Sequence, residues 1–381
     1  MSANKSRSAR ANRVWPGSDA ATVEPTFLKA AKLWVLTRAE RAGVFRAVRD
    51  SRWRKSRLLI LAYHGISLSD EHEWSPELYI PGEALRARFE LIRDDGYQVL
   101  PLREAVARLQ GGSLPPRAVA ITFDDGTRDF FEAGVPLLKE FGFPATVYVT
   151  TYYADKKAPV FRMACRYLLW TGRGHRIPGD GLTPNAEPLD LHTLDQRDAA
   201  MVAIEARLAG IENSGIAEEM ATLRLLAGRV GADFDRFLAD RRQQLMSPDE
   251  IRSLPPELVE VQLHTHRHRV PLRKASFDRE VEDNRRALSS YRPGEVLDSF
   301  CYPSGVTDAS FLPWLNQLSV RTAVTCEAGL ATADTDPLLL PRLVDSTRIT
   351  RLEFESWLSG VGSLLPRLPS RGRYRPAPVY D

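Results

Sequence analysis

AVAITFDDG, residues 118–126, is the stretch on which the fold turns. Ala118 to Phe123 is an unbroken apolar and β-branched run of six residues. It reads as a strand buried on both faces, the kind found in parallel sheets. Two adjacent carboxylates, Asp124 and Asp125, stand at its C-terminal end, and Gly126 turns the chain behind them. Neighbouring carboxylates repel unless a cation or a shared proton relieves them. The same letters also make an ordinary Asx–Gly turn, so by itself the pair leaves both readings open.

Outward from this strand, apolar runs alternate with segments of helical period. LLILAY (58–63) reads as an earlier strand, and residues 82–95 as a helix that stops at Gly96. A short strand at 98–100 and a helix at 102–109 follow; after the 118–123 strand come a helix at 129–142 and the strand PATVYVTT (144–151). Later strands are expected at 257–264, 297–302 and 320–325, with helices at 276–290 and 308–318. Such alternation predicts an α/β fold with a parallel sheet under helical cover, with enough units to close a barrel. One segment breaks the rhythm: residues 152–247 hold a Gly/Pro/Asn-rich stretch and then helical text at 195–210, 215–231 and 233–245. They read as a helical insertion between two barrel strands. SPDE at 247–250 has the form of a capping box that starts the next helix.

The chain has 381 residues, of which 43% are apolar and 27% charged, a globular balance that excludes a disordered or fibrous protein. Its small net charge of +3 hides an asymmetry. Residues 1–57 carry a net +10 and 366–381 a net +3, while 58–365 carry −10. An acidic body argues against a nucleic-acid-binding core. Residues 1–26 are expected to be a disordered basic tail, 27–57 a basic amphipathic helix, 58–365 the barrel, and 366–381 a basic Pro/Arg-rich tail. In the helix, Phe27, Ala31, Trp34, Val35, Ala42, Phe45 and Val48 recur at helical spacing among Arg38, Arg41, Arg46 and Arg49. This pattern suits either packing on the barrel or an anionic membrane surface. The first twenty residues have basic side chains without an apolar core segment, and the three cysteines form no CxxC pair. The expectation is a cytoplasmic protein, peripheral at the inner face of the membrane if the helix meets lipid.

Three further motifs stand at predicted strand ends, where barrel chemistry gathers. HTHRH (264–268) puts His264 and His268 four residues apart, a spacing common among zinc ligands. Tyr63-His64-Gly65 ends the first strand. Phe300-Cys301-Tyr302-Pro303-Ser304-Gly305 ends another with a turn whose backbone N–H groups suit an oxyanion.

In this order and context, TFDDG, HTHRH and FCYPSG, with YHGI before them and Leu340-Pro341-Arg342 after, resemble the motifs of the polysaccharide deacetylase (NodB-homology, carbohydrate esterase family 4) superfamily. The resemblance covers about residues 58–345 and implies a distorted (β/α) barrel, here with a helical insertion and an N-terminal helical extension. It implies Asp124 as general base and Asp125, His264 and His268 as ligands of one divalent metal, zinc first and cobalt or nickel next; His266 falls at a variable position. It also implies an oxyanion contact from the backbone of Ser304. The sequence departs from the family in two places. Cys301 stands where an arginine usually orients the base, and Arg342, on the neighbouring strand, is the candidate to supply the guanidinium instead. No histidine follows His268 to serve as general acid, which leaves His64 as the candidate acid or supporting group.

The implied activity is hydrolysis of an N-acetyl group from an amino sugar in a glycan, glycolipid or oligosaccharide. Two other readings stand beside it: a non-catalytic glycan- or lipid-binding member of the fold, and a hydrolase of another non-peptide C–N bond. The exact substrate, the native metal, the oligomeric state and what the insertion selects are not legible in the sequence.

Overall fold

The computed structural model describes residues 27–211 and 215–365. The two tails expected at 1–26 and 366–381 lie outside the described residues.

Eight strands form one sheet: β1 (Leu59–Tyr63), β2 (Gln98–Val99), β3 (Ala118–Phe123), β4 (Ala145–Val149), β5 (Val259–Leu263), β6 (Ser299–Cys301), β7 (Thr322–Val324) and β8 (Leu343–Val344). They run in the order β7-β6-β5-β4-β3-β1-β8, with β2 on the side of β3, and every pairing is parallel. The sheet curls until its ends meet at a parallel bridge between Val324 and Leu340, where Leu340 N–H donates to Ala323 and Thr325 N–H to Leu340. The result is a distorted (β/α) barrel, as the alternation of strands and helices predicts. Among the described residues no helix is long and apolar enough to cross a membrane.

Strand alternation sorts the side chains into two shells. Leu59, Leu61, Tyr63, Val119, Ile121, Phe123, Val147, Val149, Val261 and Leu263 face outward, under the covering helices, and form the main core. Ile60, Ala118, Ala120, Tyr148, Cys301, Val324 and Leu340 belong to a second, inner core, closed off by the helix Leu102–Gln110. Continuing the same period carries His64, Asp124, His264, Cys301 and Arg342 to the inner face at the C-terminal ends of the strands.

Between β4 and β5 the chain leaves the barrel. Helices Phe161–Thr171, Leu194–Ala209, Ile216–Val230 and Phe234–Ala239 and a short antiparallel pair, Arg176–Ile177 with Leu189–Asp190, build a body with a core of its own. Leu168, Met201, Ile204, Leu223, Leu226 and Phe237 fill it. The helix at 161–171 went unread in the sequence, and the one expected over 233–245 stops at Ala239. Beyond it, 243–246 lie beside the Gly126 turn: Met246 N–H donates to Gly126 and Arg128 N–H to Gln244. Ser247 and Glu250 do form the reciprocal capping box that starts the helix Pro248–Ser253.

The region expected as one helix over 27–57 is three: Phe27–Arg41, Val44–Asp50 and Arg52–Lys55. Gly43 takes a left-handed φ of 78° between the first two, and Ser51 is extended before the third. The helices pack on Arg351–Ser359 through Leu36, Phe45 and Val361. Arg54 is fully buried and donates to the carbonyls of Leu358 and Arg57.

Candidate metal centre

Asp124 extends β3, its N–H donating to the Tyr63 carbonyl in continuation of the ladder with β1. Its side chain points into the barrel and is 1% exposed. The next residue breaks the period. Asp125 has φ of 69° and Gly126 φ of 74°, so the two carboxylates diverge instead of facing each other. Glycine is required at 126, since a Cβ there would stand 2.8 Å from Cγ1 of Val149.

Asp125 meets two of the three histidines of HTHRH, His264 and His268. Nε2 of His264 lies 3.1 Å and Nε2 of His268 3.2 Å from the same carboxylate oxygen, Oδ1. One ligand atom from each of the three residues lies within 4.8 Å of the others. Tetrahedral ligands at roughly 2.0–2.1 Å from a zinc ion stand about 3.3 Å apart, so the spacing fits. The donor chemistry fits too. Nδ1 of His264 lies 2.8 Å from the Cys301 carbonyl, which can only accept, so Nδ1 carries the proton. That leaves Nε2 of the ring facing the carboxylate, the atom through which His264 would reach a metal ion. A second group orienting a ligating histidine in this way is the usual support of a metal site. Burial works against the charge on Asp125, but the imidazoles outweigh it and hold its pKa well below the usual carboxylate range.

Asp124 faces a different partner. Nη1 and Nη2 of Arg342 each donate to one of its oxygens at 2.7 Å, a two-point contact between groups fully enclosed by protein. Arg342 also donates to the Thr325 carbonyl and the Thr122 hydroxyl, which fixes its plane. Burial raises the Asp124 pKa, yet the guanidinium wins and brings it down to about 2. The Cys301 thiol fills the remaining corner, 3.4 Å from Oδ2 of Asp124 and 3.2 Å from Nη2 of Arg342. Burial pushes that thiol well up in pKa despite the arginine, so it stays protonated and donates to the carboxylate.

Nε2 of His64 lies 3.6 Å from Oδ2 of Asp124, across the opening of the barrel. Its Nδ1 is buried with no hydrogen-bond partner among the described residues. The structure thus brings six of the seven residues singled out in the sequence to one end of the barrel as two linked groups: Asp125, His264 and His268, and Asp124, Arg342 and His64. The seventh, Ser304, sits in the Pro303–Gly305 turn with φ of 57°, beside the Cys326 that flanks Arg342.

Two residues that support the site were not read from the sequence. Asn284, fully buried on the helix Lys274–Tyr291, accepts from the His264 N–H at 3.0 Å and donates to the Val149 carbonyl and the Thr151 hydroxyl. Glu280, one turn earlier, accepts from the Arg267 N–H and the Arg269 side chain. The signal was present: Glu280 and Asn284 interrupt the apolar stripe Phe277, Val281 and Leu288 on that helix. A buried polar residue on an apolar stripe needs a partner, and here the partner is the ligand loop.

Residues 111–176 match the family model described as polysaccharide deacetylase. Over 97 residues the chain is 35% identical to YxkH of Bacillus subtilis, provisionally named a polysaccharide deacetylase, covering 25% of this chain and 33% of that protein. Over 94 residues it is 31% identical to the poly-β-1,6-N-acetyl-D-glucosamine N-deacetylase of Escherichia coli K12, covering 24% of this chain and 14% of the relative. These matches span at most about a third of the relatives' length. In fold, the chain is similar to the Streptococcus pyogenes deacetylase PplD, solved with acetate, with a TM-score of 0.52 and 17% identity over 81% of this chain and 99% of that one. The resemblance to polysaccharide deacetylases carried by the sequence motifs is therefore found again in a family match, in curated relatives and in the fold.

Proposed function

We propose that this chain, with its deacetylase-like barrel, is a metal-dependent hydrolase that removes the N-acetyl group from an amino sugar in a glycan, oligosaccharide or glycolipid. The observation that carries the reading is the pairing of two unlike carboxylates. Asp125 faces two imidazoles, while its neighbour Asp124 faces a guanidinium and a third imidazole. A purely structural metal site needs the first carboxylate and has no use for the second.

Asp125, His264 and His268 would hold one divalent ion, with zinc favoured by two imidazoles and a carboxylate and cobalt or nickel also compatible. Bound there, the ion would polarise the amide carbonyl and lower the pKa of a water from 15.7 towards roughly 7. Asp124 takes the proton of the attacking water. Arg342 keeps both of its oxygens in plane, and Cys301 supports one of them. His64, 3.6 Å from Asp124 on the open side, is suited to deliver a proton to the departing amine. The Ser304 turn is assigned the backbone contact to the oxyanion. Acetate and a free amino sugar leave.

Removal of a base in such a constellation costs on the order of a thousandfold or more in kcat. Acetate release from N-acetylglucosamine oligosaccharides should fall by at least that much in Asp124→Asn. Equal rates in wild type and variant would end the hydrolase reading. The non-catalytic alternative drew on the arginine and histidine absent from their usual positions. The contacts of Arg342 and His64 with Asp124 argue against it.

A further inference from the structure

We propose that the outer side of the N-terminal helices is a docking surface for an anionic lipid bilayer, and that it brings the catalytic end of the barrel to that surface. The apolar stripe read in the sequence divides: Phe45 and Val48 pack inward, while Phe27, Ala31, Trp34 and Val35 point away from the barrel. The helix Phe27–Arg41 turns Leu36 inward, with Leu33 and Ala39 partly covered, and ties itself down through Lys32, which donates to Glu353 at 3.0 Å. On the other side Phe27 is 86% and Trp34 62% exposed, with Leu28, Val35 and Val44 also in the open. Of the twelve exposed large apolar side chains among the described residues, these five fall within eighteen positions. Singly such residues are unremarkable; gathered in one patch they mark a partner.

Cations are interleaved with the patch. At 100° per residue, Phe27, Ala31, Trp34, Arg38 and Arg41 share an arc of about 80°. The Arg38 guanidinium lies 5.3 Å from the Trp34 ring centre. Among the described residues no carboxylate stands within ion-pair distance of Arg38, Arg41 or Arg46. Residues 27–57 carry a net +8 against −10 for residues 58–365, so an anionic surface attracts this face and repels the rest. Aromatic and arginine side chains together are the residues that settle at a headgroup boundary.

The orientation follows from two anchors. At its start the first helix meets the loop after β8, where Lys29 donates to the Arg348 carbonyl and Thr347 to Tyr79, on the side of the candidate site. At the far end Arg54 reaches the carbonyl of Ala118, the first residue of β3. Phe27 and Leu28 therefore lie at the catalytic rim. That part of the proposal rests on the hydrolase reading; the docking itself does not.

The test is sedimentation of the full chain with vesicles of phosphatidylcholine alone or with about one third phosphatidylglycerol. The expected result is binding to the anionic vesicles only, weakening as salt rises. Arg38→Glu/Arg41→Glu should weaken it by at least about tenfold, and Phe27→Ala/Trp34→Ala by a similar factor. Both pairs should keep wild-type acetate release from a soluble oligosaccharide. Equal binding to both vesicles, no binding, variants that bind like wild type, or a dimer that buries Trp34 in place of lipid would each overturn the proposal. Vesicle binding is read without substrate, so its failure and a failure of the hydrolase reading are separate results.

Discussion

At the scale of single residues, the pair Asp124 and Arg342 governs the site. Two fully buried charges in two-point contact are retained at a large desolvation cost, and removing one of them leaves the other without compensation. Arg342→Met should therefore destabilise the protein by about 3–5 kcal/mol at neutral pH. The sign of its pH dependence follows from the lowered pKa. In wild type, Asp124 is held at about 2 against an ordinary 3.8, so the pair's stabilisation is present above about pH 4 and lost as pH falls through 2. Without the guanidinium, burial alone acts on Asp124 and raises its pKa, so the variant is relieved as pH falls and the carboxyl becomes neutral. Urea unfolding of both proteins between pH 7 and pH 3 should show a deficit that narrows towards acid. A deficit that is constant with pH would contradict this account of the pair.

At the scale of elements, β3, β4 and β5 were legible to within two residues, because continuous apolar runs bounded by turns have few other readings. Their pleat also sorts the site residues by face. Residues 122 and 124, 262 and 264, and 301 all lie on the inner face. What the sequence could not give was contact between distant segments: Asp124 and Arg342 are 218 positions apart, and the strand order β3-β1-β8 brings them together. The helix over 129–142 illustrates a smaller loss. It opens with a π-helical turn at Phe130–Gly134 before becoming regular, a local irregularity that periodicity does not reveal. The helix Lys274–Tyr291 carries the element-scale prediction. Asn284→Ala removes the acceptor of the His264 N–H and the donor to β4. It should cost about 1–3 kcal/mol in stability and 10–100-fold in metal affinity while leaving all three ligands in place. Competition with a chromogenic chelator reads the affinity directly. An unchanged value would show that the ligand loop holds itself.

At the scale of the whole molecule, the barrel is a frame on which two additions sit. The insertion has its own core, and its two ends reach the neighbourhood of the site: Met246 N–H donates to the Gly126 carbonyl and Tyr152 N–H to the carbonyl of His266 in the ligand loop. The N-terminal helices are joined more tightly. Arg54 is buried between the Arg351–Ser359 helix and the start of β3, so cutting the chain at residue 57 would damage the barrel as well as remove the basic face. Point substitutions on the outer side are the sound way to question that face. The central claim, a metal held by Asp125, His264 and His268 beside a carboxylate that is not a ligand, is tested most directly by metal content. Mass spectrometry of the purified wild type, His264→Ala and Asp124→Asn should find about one divalent ion per chain in the wild type and in Asp124→Asn, and almost none in His264→Ala. A wild type that stays empty after reconstitution with zinc, cobalt or nickel, or a His264→Ala protein that keeps its ion, would contradict the account.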